Sequence, residues 1–219
     1  MAAWTDARAG FCRRFCYIIS VGESLRISIA DDNKATARLL EKLLTAMGHR
    51  VASVAHSGRD LVSQVLGLDP PASLIITDAL MPELGGIEAI GRIWTQGRPT
   101  AAIIVSGHEE FKTHEAAGYY PEFLLKGSGK DELAKRIELA LEKFAKHRAI
   151  CEERDRAQRR LEERTQIDRA KGSIIARVGV GEPEAHSRLQ RLASAMRSDK
   201  AEAARWVLAV EKVLTPESL

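Results

Sequence analysis

From Arg26 onward, short and mostly apolar runs alternate with longer stretches whose apolar residues recur every three or four positions. The runs are RISIA (26–30), VASVA (51–55), SLIIT (73–77), AAIIVS (101–106) and EFLL (122–125). They are apolar on both faces, which predicts strands of a parallel sheet covered on both sides. Between the first two, NKATARLLEKLLTAMGH places Leu39, Leu40, Leu43, Leu44 and Met47 on one helical face, with Gly48 as its C-terminal stop. SGRDLVSQVLG and GIEAIGRIW predict two further helices, EEFKTHEAAG a short one, and another begins near Lys130. Strand and helix alternating five times predict an α/β fold, a five-stranded doubly wound parallel sheet.

After Glu132 the helical pattern does not stop. The stretch ELAKRIELALEKFAKHRAICEERDRAQRRLEERTQIDRAKG has no proline, and no glycine before Gly172. Ile137, Leu141 and Phe144 continue the core-facing stripe; Ile150, Ala157 and Leu161 then keep a sparse heptad-like spacing among charges. This predicts a helical spacer or weak coiled coil through which two chains associate, rather than a solitary solvated helix. Three amphipathic pieces follow. TQIDRAKGSIIARVG ends at Gly179 and carries Ile167, Ile174 and Ile175. EPEAHSRLQRLASAMR has Pro183 in its first turn and an apolar stripe of Leu189, Leu192 and Met196. DKAEAARWVLAVEKVL, with Ser198 as N-cap, carries Ala204, Val207, Leu208 and Val213. Three such helices can bury one small core, so a small all-α domain is expected at the C-terminus. Trp206 falls among its core positions, and His186 beside Leu189 reads as structural.

Composition adds three constraints. No run of about 18 apolar residues exists, so no membrane-spanning helix is expected, and the N-terminal FCYIISV run is too short and lacks the cleavage site of a signal peptide. Three cysteines, Cys12, Cys16 and Cys151, are an odd count that argues against a disulfide framework and suits the cytoplasm. Cys12 and Cys16 lack a second ligand pair at metal spacing, so residues 1–25 read as a disordered tail. Charge is uneven. Residues 1–142 hold 16 basic and 18 acidic side chains, whereas residues 143–219 hold 17 and 12, a net of +5. The two halves are therefore expected to meet different partners.

The chemistry gathers where strands end. Asp31 and Asp32 follow the first strand, Asp78 the third, Ser106 the fourth and Lys126 the fifth. In a doubly wound sheet these positions share one edge, the edge where such folds bind ligands. Three carboxylates there repel one another and call for a cation, and hard oxygen ligands suit Mg²⁺. This set can carry a phosphoryl group. Asp78 supplies the oxygen nucleophile, Mg²⁺ and Lys126 neutralise the phosphoryl oxygens, and Ser106 bonds one of them. Pro82 stiffens the loop beyond Asp78, and Gly85-Gly86 turns it into the next helix.

In IADDN, IITDALMP, IIVSGH and FLLKG, in that order, residues 26–145 resemble the receiver domain of two-component response regulators. The resemblance implies that Asp78 is the phosphoacceptor, charged by a sensor histidine kinase. It implies that Asp32 and Asp78 bind Mg²⁺ with the backbone carbonyl of Leu80, and that Asp31 acts through water. Ser106 and Lys126 become the switch hydroxyl and the phosphate-contacting lysine, and Phe123 the switch aromatic. Catalysis is then confined to the domain's own phosphoryl transfer and dephosphorylation. One departure stands out, because Gly127 occupies the place where the family usually has proline.

Beyond a linker at 146–163, residues 164–219 resemble the ANTAR domain of antitermination regulators through RAKG with the apolar run after it, EPEAHSRLQRLA and AARWVLAVEKVL. That resemblance implies binding to RNA hairpins in a nascent transcript and transcription antitermination. Folded RNA is read by shape, phosphates and loop bases. Lys171, Arg177, Arg188, Arg191, Arg197 and Lys200 are the available cations. The joint expectation is a receiver whose phosphorylation brings two chains together as a homodimer, so that two outputs grip two hairpins. The competing readings are a DNA-binding regulator, and a phosphorelay or protein-interaction module without nucleic acid.

Overall fold

A computed structural model describes residues 24–107 and 118–214, with side chains described as far as Glu211. The tail with Cys12 and Cys16, nearly all of EEFKTHEAAG and the side chain of Val213 lie outside the described residues. The chain divides into two compact units, residues 1–150 and 151–219.

The first unit alternates β1 (Arg26–Ala30), α1 (Lys34–Ala46), β2 (Arg50–Ala55), α2 (Gly58–Gly67), β3 (Leu74–Asp78), α3 (Gly86–Thr95), β4 (Ala101–Ser106) and β5 (Glu122–Leu125), and helix α4 starts at Lys130. All neighbouring strands pair in parallel, in the order β2-β1-β3-β4-β5, which is the expected doubly wound sheet. The register pairs Ile75 with Ala102, Ile76 with Ile103 and Asp78 with Val105. Alternate strand residues face opposite layers. Ile75 and Ile104 pack with Leu61 and Val65 of α2 and Ala89, Ile90 and Ile93 of α3. Leu74, Ile76 and Ile103 pack with Leu44 of α1 and Leu133, Ile137 and Ala140 of α4. Each fully buried aliphatic side chain contributes about 1.5–3 kcal/mol. Two such layers make the sheet rigid enough to hold polar groups at its edge.

Local signals set the element ends. Asn33 caps α1 by accepting from the N–H groups of Ala35 and Thr36, and Gly48 follows that helix at φ 88°. Leu39, expected on the buried stripe of α1, is exposed. The stripe is narrower than the sequence pattern suggested, because Ala37 and Leu44 take the buried positions.

In the second unit the first expected output piece is no separate helix. It is the C-terminal part of α4, which runs unbroken from Lys130 to Val178, Gly172 included, and ends before Gly179 at φ 71°. Then come α5 (Glu182–Met196), with Pro183 in its first turn, and α6 (Lys200–Leu214). Their shared core is Ala170, Leu189, Ala193, Ala203 and Ala204, with Ile167, Ile174, Leu192, Val207 and Leu208 packed around it. The N-cap of α6 is Asp199, not Ser198: its Oδ1 accepts from the N–H of Glu202 at 2.7 Å, while the Ser198 hydroxyl donates to the Asp199 carbonyl. Met196 is 37% exposed and Trp206 51%, so neither is a core residue. His186 is likewise exposed. Along α4, Ile150 and Leu161 are exposed too.

Candidate functional site

Each acidic residue reaches the carboxyl edge of the sheet for its own local reason. Apolar β1 delivers Asp31, whose N–H donates to the Ala55 carbonyl of the neighbouring strand end. Asp32 stands next to it, exposed. β3, buried at every position, ends on Asp78. The N–H of Ala79 donates to the Val105 carbonyl and pins that end beside β4. Ser106, buried, closes β4, and its carbonyl accepts from the N–H of Lys126 at 2.9 Å.

A charge-dense cluster results. Asp31, Asp32 and Asp78 each offer a carboxylate oxygen within 4.8 Å of the others. The Lys126 ammonium donates to Asp78 Oδ2 at 2.5 Å and lies 3.5 Å from Asp31 Oδ2. The second oxygen of each buried carboxylate is held by backbone: Asp78 Oδ1 accepts from the N–H of Leu80 and Asp31 Oδ1 from that of Asn33. Burial, and then the charge of Asp78, raise the Asp31 carboxyl above the usual range against the pull of the Asn33 N–H and Lys126. Burial pulls the Lys126 ammonium down, but Asp78 and Asp31 outweigh it and hold it above its ordinary value. Three ionised carboxylates and one ammonium leave two negative charges uncompensated. A divalent hard cation fits that deficit and the all-oxygen donor set.

The glycines after Asp78 act by close approach rather than by turn geometry. Gly85 has an ordinary φ of −67°. A Cβ on Gly86 would lie 2.0 Å from the Asp78 carbonyl oxygen and 2.7 Å from Thr77 Oγ1, so only glycine lets α3 start there. In the loop itself Glu83 has φ 65°, and an ion pair joins it to Arg59. At the departure from the family pattern, Gly127 has φ 88°, a conformation closed to the usual proline. Leu80 turns its side chain outward while its N–H holds Asp78. Phe123 is buried in β5 opposite Ile104. Sequence reasoning missed His56, whose Nδ1 lies 3.0 Å from the Asp31 carbonyl oxygen; a lone histidine after β2 carries no pattern that would have marked it.

The six output cations separate into two kinds. Lys171 is largely buried and bonded to Asp168 and Glu182 at 2.9 and 3.0 Å. Arg177 pairs with Glu211 at 3.8 Å, and Arg188 and Arg191 both reach Glu184. Arg197, in the left-handed C-cap of α5, and Lys200 have no carboxylate partner among the described residues. The nearest group to the Lys200 ammonium is His186 Nε2, at 3.5 Å. Spacing alone could mark Asp168 with Lys171 and Glu184 with Arg188, three and four positions apart on one helix, but not Lys171 with Glu182 or Arg177 with Glu211, whose acids come from α5 and α6.

Among the described residues, no helix is long and apolar enough to cross a membrane. The family model of the response regulator receiver domain matches residues 27–138, and that of the ANTAR domain residues 155–208. The transcriptional regulatory protein PdtaR of Mycobacterium tuberculosis is 28% identical over 193 residues, 88% of this chain and 92% of that protein. The chemotaxis protein CheY of Treponema pallidum is 30% identical over 91 residues, 41% of this chain and 63% of CheY. A receiver domain protein of Clostridium thermocellum is similar in structure with a TM-score of 0.47 at 24% identity, covering 54% of this chain and 95% of that one.

Proposed function

The chain belongs to the response regulators, with a receiver domain followed by an ANTAR domain, and we propose that it is a phosphorylation-controlled RNA-binding antiterminator of the cytoplasm. Residues 26–145 act as the receiver, 146–163 as a helical linker and 164–219 as the RNA-binding output.

Asp78 is the phosphoacceptor, and the sharing of the Lys126 ammonium between Asp78 and Asp31 beside Asp32 carries this reading. A sensor histidine kinase presents a phosphohistidine. An Asp78 carboxylate oxygen attacks phosphorus, the P–O bond forms as the P–N bond breaks, and the electron pair leaves with the imidazole. Lys126 stays charged throughout and moves from the carboxylate to the phosphoryl oxygens. Backbone N–H groups of Leu80 and Asn33 keep both carboxylates oriented without reorganisation. The Ser106 hydroxyl bonds a phosphoryl oxygen once the group is in place, and Phe123 follows it. Asp32, Asp78 and the Leu80 carbonyl, with Asp31 acting through water, would hold Mg²⁺, which would supply charge neutralisation at the same oxygens.

The output reading is carried by the ANTAR match together with the excess of cations in residues 143–219. PdtaR, which aligns along nearly all of this chain, is named a transcriptional regulator. RNA hairpins are the ligand, and phosphorylation promotes a homodimer that grips two of them. Incubation with a small-molecule phosphodonor and Mg²⁺ should add one phosphoryl group by intact mass, and none to Asp78→Asn. Titration with a two-hairpin RNA and a DNA duplex of matched length, each with and without beryllofluoride, should show RNA preference that tightens with beryllofluoride. Preference for DNA would assign the output to duplex recognition instead.

A further inference from the structure

We propose that Trp206 is the platform on which an unpaired base of the bound hairpin stacks, and that Arg205 beside it takes a neighbouring phosphate. This deepens the RNA-binding reading and rests on it. Trp206 lies in the apolar string WVLAV, yet only Val207 and Leu208 of its neighbours pack into the three-helix core. Ala201, Ala203 and Ala204, at 6% exposure or less, form the inner seam of α6. Small residues there draw the helices close, and an indole has no room among them. Trp206 stands 51% exposed.

With 3.6 residues per turn, Glu202, Arg205, Trp206 and Ala209 share the side of α6 away from that seam, and all four are exposed. Ala209 has too little bulk to cover the ring. Among the described residues Trp206 has no ring or hydrogen-bond partner and Arg205 no carboxylate, unlike Arg188 and Arg191 on α5. An open indole next to an open guanidinium offers a π-face for a base and a charge for its backbone. Glu202, one turn before Trp206, repels phosphate on the indole's side. The base therefore faces Trp206 and the phosphate falls toward Arg205, about 100° around the helix. Paired bases are sequestered in a stem, so only loop or bulge bases can reach the ring. Trp206 thus distinguishes a hairpin from a plain duplex, which charge alone cannot do.

The test uses the full chain with a hairpin carrying 2-aminopurine in its loop, and with the same stem closed as a blunt duplex RNA. Trp206→Ala should weaken hairpin binding about tenfold, leave duplex binding unchanged and abolish the quenching of 2-aminopurine. Trp206→Phe should retain most of both signals, which separates stacking from a folding defect. Arg205→Gln should flatten the salt dependence of hairpin binding by about one unit of log–log slope. Hairpin affinity and quenching unchanged in Trp206→Ala would overturn the proposal. So would unchanged hairpin affinity with loss of self-association in sedimentation, which would give the ring to a second copy of this chain. If the wild-type chain binds neither RNA, the RNA-binding reading itself fails and takes this inference with it.

Discussion

The two units solve opposite problems. In the first, two of the three carboxylates are buried: Asp31 and Asp78 are 4% and 6% exposed at the ends of apolar strands. In the second, most of the candidate cations and the indole lie outside, around a core built largely of alanine. A buried carboxylate is costly unless neighbours stabilise its charge, so its position is over-determined by strand, backbone donors and lysine together. A surface arginine costs little anywhere, and its availability depends on which acids happen to stand near it. Buried chemistry is therefore written locally in a sequence, and surface recognition is not.

The sharpest way to break this comparison is to strike the smaller core. Leu189 is 1% exposed at the centre of the three helices. Leu189→Ala should cost about 2–5 kcal/mol, enough to melt the output while the receiver still accepts a phosphoryl group; phosphorylation by intact mass alongside circular-dichroism melting would read both. Loss of phosphorylation as well would show that the units do not fold independently.

Gly86→Ala strikes the other side. The added Cβ meets backbone at Asp78, so a loss of about 1–3 kcal/mol is expected, confined to the receiver's melting transition. Phosphorylation should slow at the same time, because the displaced carbonyl belongs to Asp78, the proposed phosphoacceptor. An unchanged melting temperature would mean that the start of α3 can shift at no cost.

Two milder changes sharpen the surface account. Replacing Arg197 and Lys200 together by alanine should lower the log–log salt slope of RNA binding by about two, since neither has a carboxylate partner among the described residues. Arg188→Ala should change it less, because Glu184 already holds that guanidinium. Smallest of all, Glu184→Gln releases Arg188 and Arg191 at once and should tighten RNA binding by about twofold at most. A large gain would show that these pairs mask the binding face.

By itself the sequence determined the sheet, its parallel order of elements, the carboxylates, serine and lysine at its edge, and the family of each half. Short continuous apolar runs that lead into polar residues, alternating with stretches of period 3.6, leave few alternatives, because burial and strand geometry act over a handful of neighbouring positions. Only the tertiary structure decided that Gly86 serves close approach and not a turn, since the clash is with Asp78, eight positions earlier. It alone placed Leu39 and Trp206 outside their expected cores, because how closely two helices pack depends on side chains from both. It also paired Arg177 with Glu211 and Lys171 with Glu182, because these meet only when α4, α5 and α6 are brought together.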